Sequence, residues 1–509
     1  MSITTPRLPW KQSERYEKAL SILLIAIAHL IFWPYNGMGG DMIEIIPGLK
    51  MLSHPGLYPR DFYQQFTSHI PWHERSFYLY FLHFTGAQYP WLLWCYYVIC
   101  LLFMIAGLYR ISEKLIPDPA FAFLNVIAVM FCARYFSVGA NELFYSSPTS
   151  AIFAKTAGIW AIYFFLNQKT LYTGVLCSIA VCFHILAGAQ LAILLMASGV
   201  LYAILNHENR QLLKWLMLPI PFIALQVWAI VHYRMNPHTH ASALADLIEF
   251  RIGHHFFIEY AGWLNIAIYV LIFCIALWWW RKHEVRLFYF TVFQIAILVV
   301  YILMSSWMRN EIALQSQWLK SSIWVEFLGL TALLSAVITQ IKFPKGKYYR
   351  IGLFTIVIGG LFIASLFTEK EDTAILADEQ KLASWALTHT RNDALFVYPP
   401  SFTRFKSISE RSSWIDYKAI AHQTSYLIPW YDRVQRIYGI SLDDRRSGAN
   451  LMQLANERFD KINDHNLTYL LFDQKVDYII LPTLEVPSEY MFPACTAGRY
   501  TIYQRKELN

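Results

Sequence analysis

Long apolar runs separated by short polar joints fill the first 367 residues of the chain. A helix needs roughly 20 apolar residues to cross a bilayer. Runs of that kind fall at 19–35, 88–110, 119–136, 148–166, 171–185, 187–206, 213–232, 261–280, 286–305, 321–341 and 350–367. The pattern predicts an all-α membrane domain over residues 1–367, a polytopic bundle of about eleven transmembrane helices. The run at 171–185 is short and almost no loop parts it from 187–206, so His184 and Gly188 mark either a tight corner or a re-entrant bend. From about residue 368 the periodicity changes. EKEDTAILADEQKLASWALTHTRND reads as a polar junction and amphipathic helix, and DALFVYPP, VDYIILPT and RYTIYQRKE read as short strands. SYLIPWYDRVQRIYG and NLMQLANERFDKINDHNLTYLLFDQ read as helices. This alternation predicts a small α/β domain over 368–509.

Composition agrees with the patterning. The 509 residues are 56% hydrophobic and 15% charged, with a mean hydropathy of +0.35. Soluble domains run near a quarter charged, so an ordinary soluble enzyme is excluded. The net charge of +7 reads as an orientation signal. Its basic residues recur in every second joint, at 1–18, 111–118, 167–170, 207–212, 281–285 and 342–349. The positive-inside rule then puts the N-terminus in the cytoplasm. Loops 36–87, 137–147, 233–260 and 306–320, with the C-terminal domain, fall on the far side, in a periplasmic or extracellular setting. No nucleic-acid partner is implied. Six of the seven cysteines lie inside apolar runs and no CxxC or Cys/His zinc spacing occurs, which leaves no disulfide framework. The N-terminal run lacks an A-x-A site and reads as a retained first helix.

Candidate chemistry concentrates beside the first run. The stretch GGDMIEIIPGLKMLSHPGLYPRDFYQQFTSHIPWHER, Gly39 to Arg75, holds four acids. Asp41 stands just past the first helix behind Gly37, Gly39 and Gly40, whose flexibility permits a sharp turn and close approach to a ligand. An acid there can take a proton from an acceptor hydroxyl. It can also cap a helix, since Asp41 and Glu44 form a D-x-x-E capping box. Asp61 is either a second acid of the site or the partner of Arg60 in a surface pair. Charges at helix ends face the bundle interior, water or headgroups. Lys155, Arg309 and Lys320 are therefore candidate phosphate ligands, with snorkelling as the alternative. His184 marks the corner, and His254 and His255 after Arg251 are candidates for phosphate binding or proton shuttling. No metal ligand set is expected, because Pro71 interrupts the spacing of His69 and His73.

The layout resembles the GT-C-type integral membrane glycosyltransferases of bacteria. The carrying features are the external loop opening GGDMIEIIPG, the further acid in YPRDFY, many short internal loops and a final external α/β domain. The central GANELFYSSPTSAIFAKTAGIWAIYFFLNQKTLYTGVLCSIAVCFHILAGAQ is also similar to the middle of bacterial members. RIGHHFF and RSSWIDYK are similar to segments of a related bacterial membrane family. The resemblance implies transfer of a sugar from a polyprenyl-phosphate carrier, with inversion, to a saccharide, lipid or protein acceptor outside the inner membrane. It implies Asp41, with Asp61 second, in the catalytic role. Substrate contacts would come from Glu44, Lys155, His184, His254, His255, Arg309 and Lys320. Some members use a divalent cation. Here Met42 follows Asp41, so no D-x-D or D-E pair is formed, and the tail carries no WWD-type motif. A lipid-linked saccharide flippase and a non-catalytic assembly subunit are the alternatives.

Overall fold

The computed structural model of the chain describes residues 9–70, 72–87, 89–116, 118–135, 138–207, 213–234, 241–340, 352, 359–360, 373–484 and 489–506. The run at 350–367 falls almost wholly outside these. The protein is mostly helical. Helix α1 spans Pro9–Phe32, and the loop after it carries α2 (Met42–Ser53), α3 (Phe62–Ser68) and α4 (Ser76–Phe84). The bundle continues with α5 (Pro90–Leu115), α6 (Pro119–Tyr135), α7 (Ser150–Leu166), α8 (Thr170–Phe183), α9 (Ile185–Leu205), α10 (Leu213–Leu216) and α11 (Pro219–Arg234). It closes with α12 (Ala241–Ile252), α13 (Trp263–His283), α14 (Val285–Ile302), α15 (Glu311–Ser316) and α16 (Ser322–Gln340).

Among the described residues five helical segments are long and apolar enough to cross a membrane: Pro90–Leu115, Ile185–Leu205, Trp263–His283, Val285–Trp307 and Glu311–Gln340. Four apolar helices are shorter: Pro119–Cys132, Ser150–Leu166, Thr170–Phe183 and Lys214–Ala229. These helices bury a continuous core in which Tyr97, Met104, Ile159, Leu191, Phe290, Trp324 and Leu328 are all enclosed. At the questioned corner α8 and α9 are parted by a single residue. His184 is extended, with φ −150°, and its Nδ1 accepts the Ala187 N–H at 3.3 Å, capping α9. The polar residue in the apolar run is thus a helix cap at a tight corner.

The C-terminal domain is a five-stranded sheet flanked by helices. Strands β1 (Leu395–Val397), β2 (Ser412–Ser413), β3 (Tyr478–Pro482), β4 (Met491–Ala497) and β5 (Tyr500–Arg505) lie in the order β2-β1-β3-β5-β4. The first three in that order run parallel, while β5 is antiparallel to both β3 and β4. Its helices include Thr373–His389 and Thr424–Tyr438. One apolar core spans the domain and the loops of the bundle: Tyr63 of α3, Leu244 and Phe250 of α12 and Leu314 of α15 pack with Trp414, Tyr426 and Trp430. Burial of that shared surface fixes the domain over one end of the bundle.

Polar bonds fix the register of this docking. The Arg60 guanidinium pairs with Asp477 at 2.6 Å and donates to the Lys475 carbonyl at 2.6 Å. Lys50 pairs with Glu410 at 2.6 Å. The expected Arg60–Asp61 surface pair does not form, because Asp61 turns the other way. It is fully buried, caps α3 through the Gln64 N–H at 2.8 Å, and accepts the Ser413 N–H at 2.9 Å. Lys406 Nζ lies 3.5 Å from Asp61 and 3.2 Å from Asp416.

Candidate active site

Two connected chambers, of about 370 and 340 Å³, lie where the C-terminal domain meets the bundle. Both are lined by Gly40, Asp41, His184, Leu186, His255 and Lys320. The domain-side chamber adds Arg75, Arg251, His254, Gln317, Lys418 and His422. The bundle-side chamber adds Asn141, Tyr145, Thr149, Lys155, Gln190 and Trp324.

Asp41 reaches this junction through a local bend. Gly40 has φ +57°, a left-handed conformation that side chains resist, and a Cβ there would stand 3.4 Å from Ser147 Oγ. The expected capping box is absent. Asp41 is itself helical (φ −66°) and its side chain makes no cap bond; its carbonyl accepts the Glu44 N–H at 3.1 Å instead. The carboxylate is thereby left to the chambers, with 49% of the side chain exposed and Arg75 Nη2 at 3.7 Å. Burial pushes this carboxyl up, but Arg75, Lys320, His184 and His422 together hold it below the usual carboxylate range. Asp41 is therefore ionised at neutral pH.

Lys320 faces it from the turn Trp318–Ser321. Among the described residues the Lys320 ammonium makes no hydrogen bond or ion pair, whereas its backbone is fixed. Its N–H donates to the Gln317 carbonyl at 3.0 Å and its carbonyl accepts from Asn141 Nδ2 at 2.7 Å. Gly139 presses on this turn so closely that a Cβ would run into the Leu319 carbonyl. The N-terminal residues of α9, Ile185 and Leu186, line the same wall. The positive end of that 21-residue helix adds to the Lys320 charge.

Lys155 lines the bundle-side chamber, yet its three N–H donors are committed to Asn141 Oδ1 (2.8 Å), Tyr145 Oη (2.8 Å) and the Glu142 carbonyl. An ammonium has three donors. Lys155 thus holds the 141–145 turn in place and has nothing left for a phosphate. Glu44 touches the domain-side chamber but is equally committed: Oε1 accepts the Ile420 N–H at 3.1 Å, and Oε2 accepts from Tyr63 Oη at 3.0 Å and pairs with Arg75. Arg309 lines neither chamber. It is clamped by Asp246 and Glu249, each at 2.6 Å, in a network that Arg446 completes. Asp61 lies outside both chambers as well.

The two histidines of the turn Gly253–His255 that follows α12 are neutral and of opposite tautomers. Arg445 donates to His254 Nδ1 at 3.1 Å, so the proton sits on Nε2. Burial first, then Arg445, Lys320 and Arg251, pushes His254 down to about 4. His255 Nδ1 donates to the Gly139 carbonyl at 2.8 Å, leaving Nε2 as the acceptor. Burial, with Lys320 and His254, also holds His255 well below its ordinary range. Neither offers phosphate a positive charge. One Nε2–H and one bare Nε2 offer a donor and an acceptor.

Gln317 went unnoticed in the sequence. It is a non-glycine residue in the left-handed region (φ +47°), 3% exposed, and its Oε1 is buried without a hydrogen-bond partner. Gln317 lines the domain-side chamber, so a strained backbone and an orphaned amide oxygen sit in its wall. Among the described residues no three His, Cys, Asp or Glu side chains converge to hold a metal ion. Glu44 is bound to Arg75, and Glu74 and Glu142, which also line the chambers, form no such cluster with Asp41, so among the described residues the site's donors do not fit the divalent cation some GT-C members use.

Residues 377–437 match the model of a family described as a domain of unknown function, DUF6798. No curated protein matches the chain. Among solved structures the chain is similar to the oligosaccharyltransferase of Archaeoglobus fulgidus in its apo form, at 11% identity and a TM-score of 0.48, covering 92% of this chain and 70% of that one. It is also similar to the Archaeoglobus fulgidus enzyme tethered through a disulfide to an acceptor peptide containing the NVT sequon, at 11% identity and a TM-score of 0.45, covering 92% and 69%. Likeness at this level leaves the chemistry to this chain's own residues.

Proposed function

We propose that the protein is a GT-C-type membrane glycosyltransferase. It moves a sugar from a polyprenyl-phosphate carrier to a saccharide, lipid or protein acceptor on the extracytoplasmic side of a bacterial inner membrane. The observation that carries this reading is the pairing, across one pair of chambers, of an ionised carboxylate, Asp41, with an uncommitted ammonium, Lys320. Asp41 takes the proton of the acceptor hydroxyl as its oxygen attacks the anomeric carbon. The bond from that carbon to the carrier phosphate breaks on the opposite face, and its electron pair leaves on the phosphate oxygen. Lys320, the α9 N-terminus and the His184 imidazole, whose Nδ1 is already an acceptor and whose proton therefore sits on Nε2, meet that charge. No step is routed through a metal.

The flippase and non-catalytic alternatives lack such a specific observation. The test is Asp41→Asn in the full chain, assayed in membranes with radiolabelled polyprenyl-phosphate hexoses and pentoses. Loss of sugar release from the carrier, with insertion and thermal stability kept, is expected. Full turnover by the variant, or saccharide flux in proteoliposomes without transfer, overturns the reading.

A further inference from the structure

A chain of direct contacts runs from the C-terminal domain to Asp41. The Ile420 N–H donates to Glu44 Oε1 at 3.1 Å, bridging 376 residues of sequence. Glu44, only 8% exposed, pairs with Arg75, and Arg75 Nη2 stands 3.7 Å from Asp41 Oδ2. The domain holds its end rigidly. Asp416 Oδ1 accepts the Lys418 and Ala419 N–H groups at 2.9 and 3.1 Å, and the Ala419 carbonyl accepts from Tyr426 Oη at 3.0 Å. The Asp416 carbonyl accepts from Trp430 Nε1 at 3.0 Å. All of these residues lie within the 377–437 region whose family description assigns it no function.

We infer that this region is a positioning element of the active site: the Ile420 amide orients Glu44, Glu44 orients Arg75, and Arg75 sets the geometry and charge state of Asp41. The inference rests on the reading of Asp41 as the base. A buried carboxylate that accepts from a backbone N–H and a tyrosine has one orientation left for its arginine. Arg75 is then presented to Asp41 only when the domain is docked. The titratable and charged groups around Asp41 are Glu74 and Arg75 before α4, Glu44 on α2, His184 at the α8–α9 corner, Arg251 of α12 with His254 and His255 after it, Lys320 before α16, and Lys418 and His422 of the domain, with Glu142, Tyr145 and Lys155 on the bundle side. Of these, Arg75 exerts the strongest pull that keeps the carboxylate charged.

The test is the pH profile of sugar transfer by the full-length protein in liposomes. Wild type is compared with Arg75→Gln, with the double variant Arg75→Gln/Glu44→Gln, and with an Ile420 amide-to-ester replacement that removes only the N–H. The acid limb of kcat/KM is expected to move to higher pH in both Arg75 variants, less far in the double variant because it also loses the Glu44 charge, and by a smaller amount of the same sign in the ester. The double variant replaces both charges by neutral amides and leaves no buried carboxylate unpaired, so it keeps the test open where Arg75→Gln alone strands Glu44 and fails to fold. An acid limb unmoved in the double variant and the ester overturns the relay. If Asp41→Asn still abolishes transfer in that case, the base reading survives. If Asp41→Asn is active, both fall.

Discussion

Asp41 and Asp61 are acids of one loop, 20 residues apart, and the structure gives them opposite fates. Asp61 is walled in. It accepts two backbone N–H groups, faces Lys406, and ties α3 to the C-terminal domain. Asp41 has its side chain half exposed in a chamber, with its nearest cation at 3.7 Å. The same division separates Lys155, whose three protons are all donated, from Lys320, whose protons await an acceptor. Residue type and position beside the membrane do not separate a structural charge from a reactive one. The state of its hydrogen-bonding capacity does.

The sharpest way to break this comparison is to neutralise each acid in turn. Asp41→Asn is expected to lower transfer by roughly 10²–10⁴-fold, the usual contribution of a general base, without lowering the unfolding midpoint. Asp61→Asn is expected to do the reverse, lowering the midpoint and reducing activity only through loss of folded protein. Thermal unfolding in detergent and turnover measured on one preparation separate the two. Equal activity losses at equal stability would erase the distinction.

Next in size is the cation that Asp61 holds. Lys406 is 1% exposed; burial pulls its ammonium down, and Asp61 and Asp416 more than restore it. Lys406→Met would strand two buried carboxylates. Removing one member of such a group costs about 3–5 kcal/mol, read as a lower denaturation midpoint of the docked domain. A neutral outcome would mean that Asp61 is solvated and its fate no different from that of Asp41.

Lys320→Gln tests the other half of the comparison. Hydrogen bonds to a charged group are worth about 1.5–3 kcal/mol, so the KM for a polyprenyl-phosphate sugar is expected to rise roughly 10- to 100-fold. Lys155→Gln is expected to act on stability instead, through the orphaned turn at 141–145. A donor KM that responds to Lys155 and ignores Lys320 would move the phosphate seat deeper into the bundle-side chamber.

Much of the architecture was legible because hydropathy is a local signal. Most of the apolar runs mark bundle helices, though the run at 213–232 is split into α10 and α11 and that at 350–367 lies almost wholly outside the described residues; β1, β3 and β5 announce themselves as short apolar segments. The two-residue β2 exists only by pairing with β1, and β4 carries Pro493 and a register shift that hide its pattern. Asp41 was legible from its glycines and its place after the first helix. The tie-down of Glu44 was not, because its partner Ile420 lies 376 residues away. Nor was the saturation of Lys155, which depends on how the 141–145 turn folds back on α7. Gln317 carries no sequence signal, since its left-handed backbone is imposed by the packing of the turn before α16.

Glu249 stands between the two extremes and gives the smallest effect. It is paired like Asp61, but with guanidinium groups at the rim, Arg309 and Arg446, each of which has more than a third of its side chain exposed. Burial pushes its carboxyl up; hydrogen bonds from Arg446, Arg309 and Tyr260 outweigh that and bring it to about 2 from an ordinary 4.5. A depressed carboxyl adds stability that is complete above its unfolded value and is lost as pH falls through the folded one. The α12 contact with the domain should therefore weaken from about pH 4.5 downward and be spent near pH 2. Glu249→Gln should flatten the unfolding midpoint over that window and lower it modestly at pH 7, because exposed guanidinium partners are screened by water and salt. Arg309 freed in that variant would still lie outside both chambers, so the donor KM should not change. A tighter donor KM in Glu249→Gln would show that Arg309 can swing into the site, and that a paired charge at the rim belongs with Lys320 rather than with Asp61.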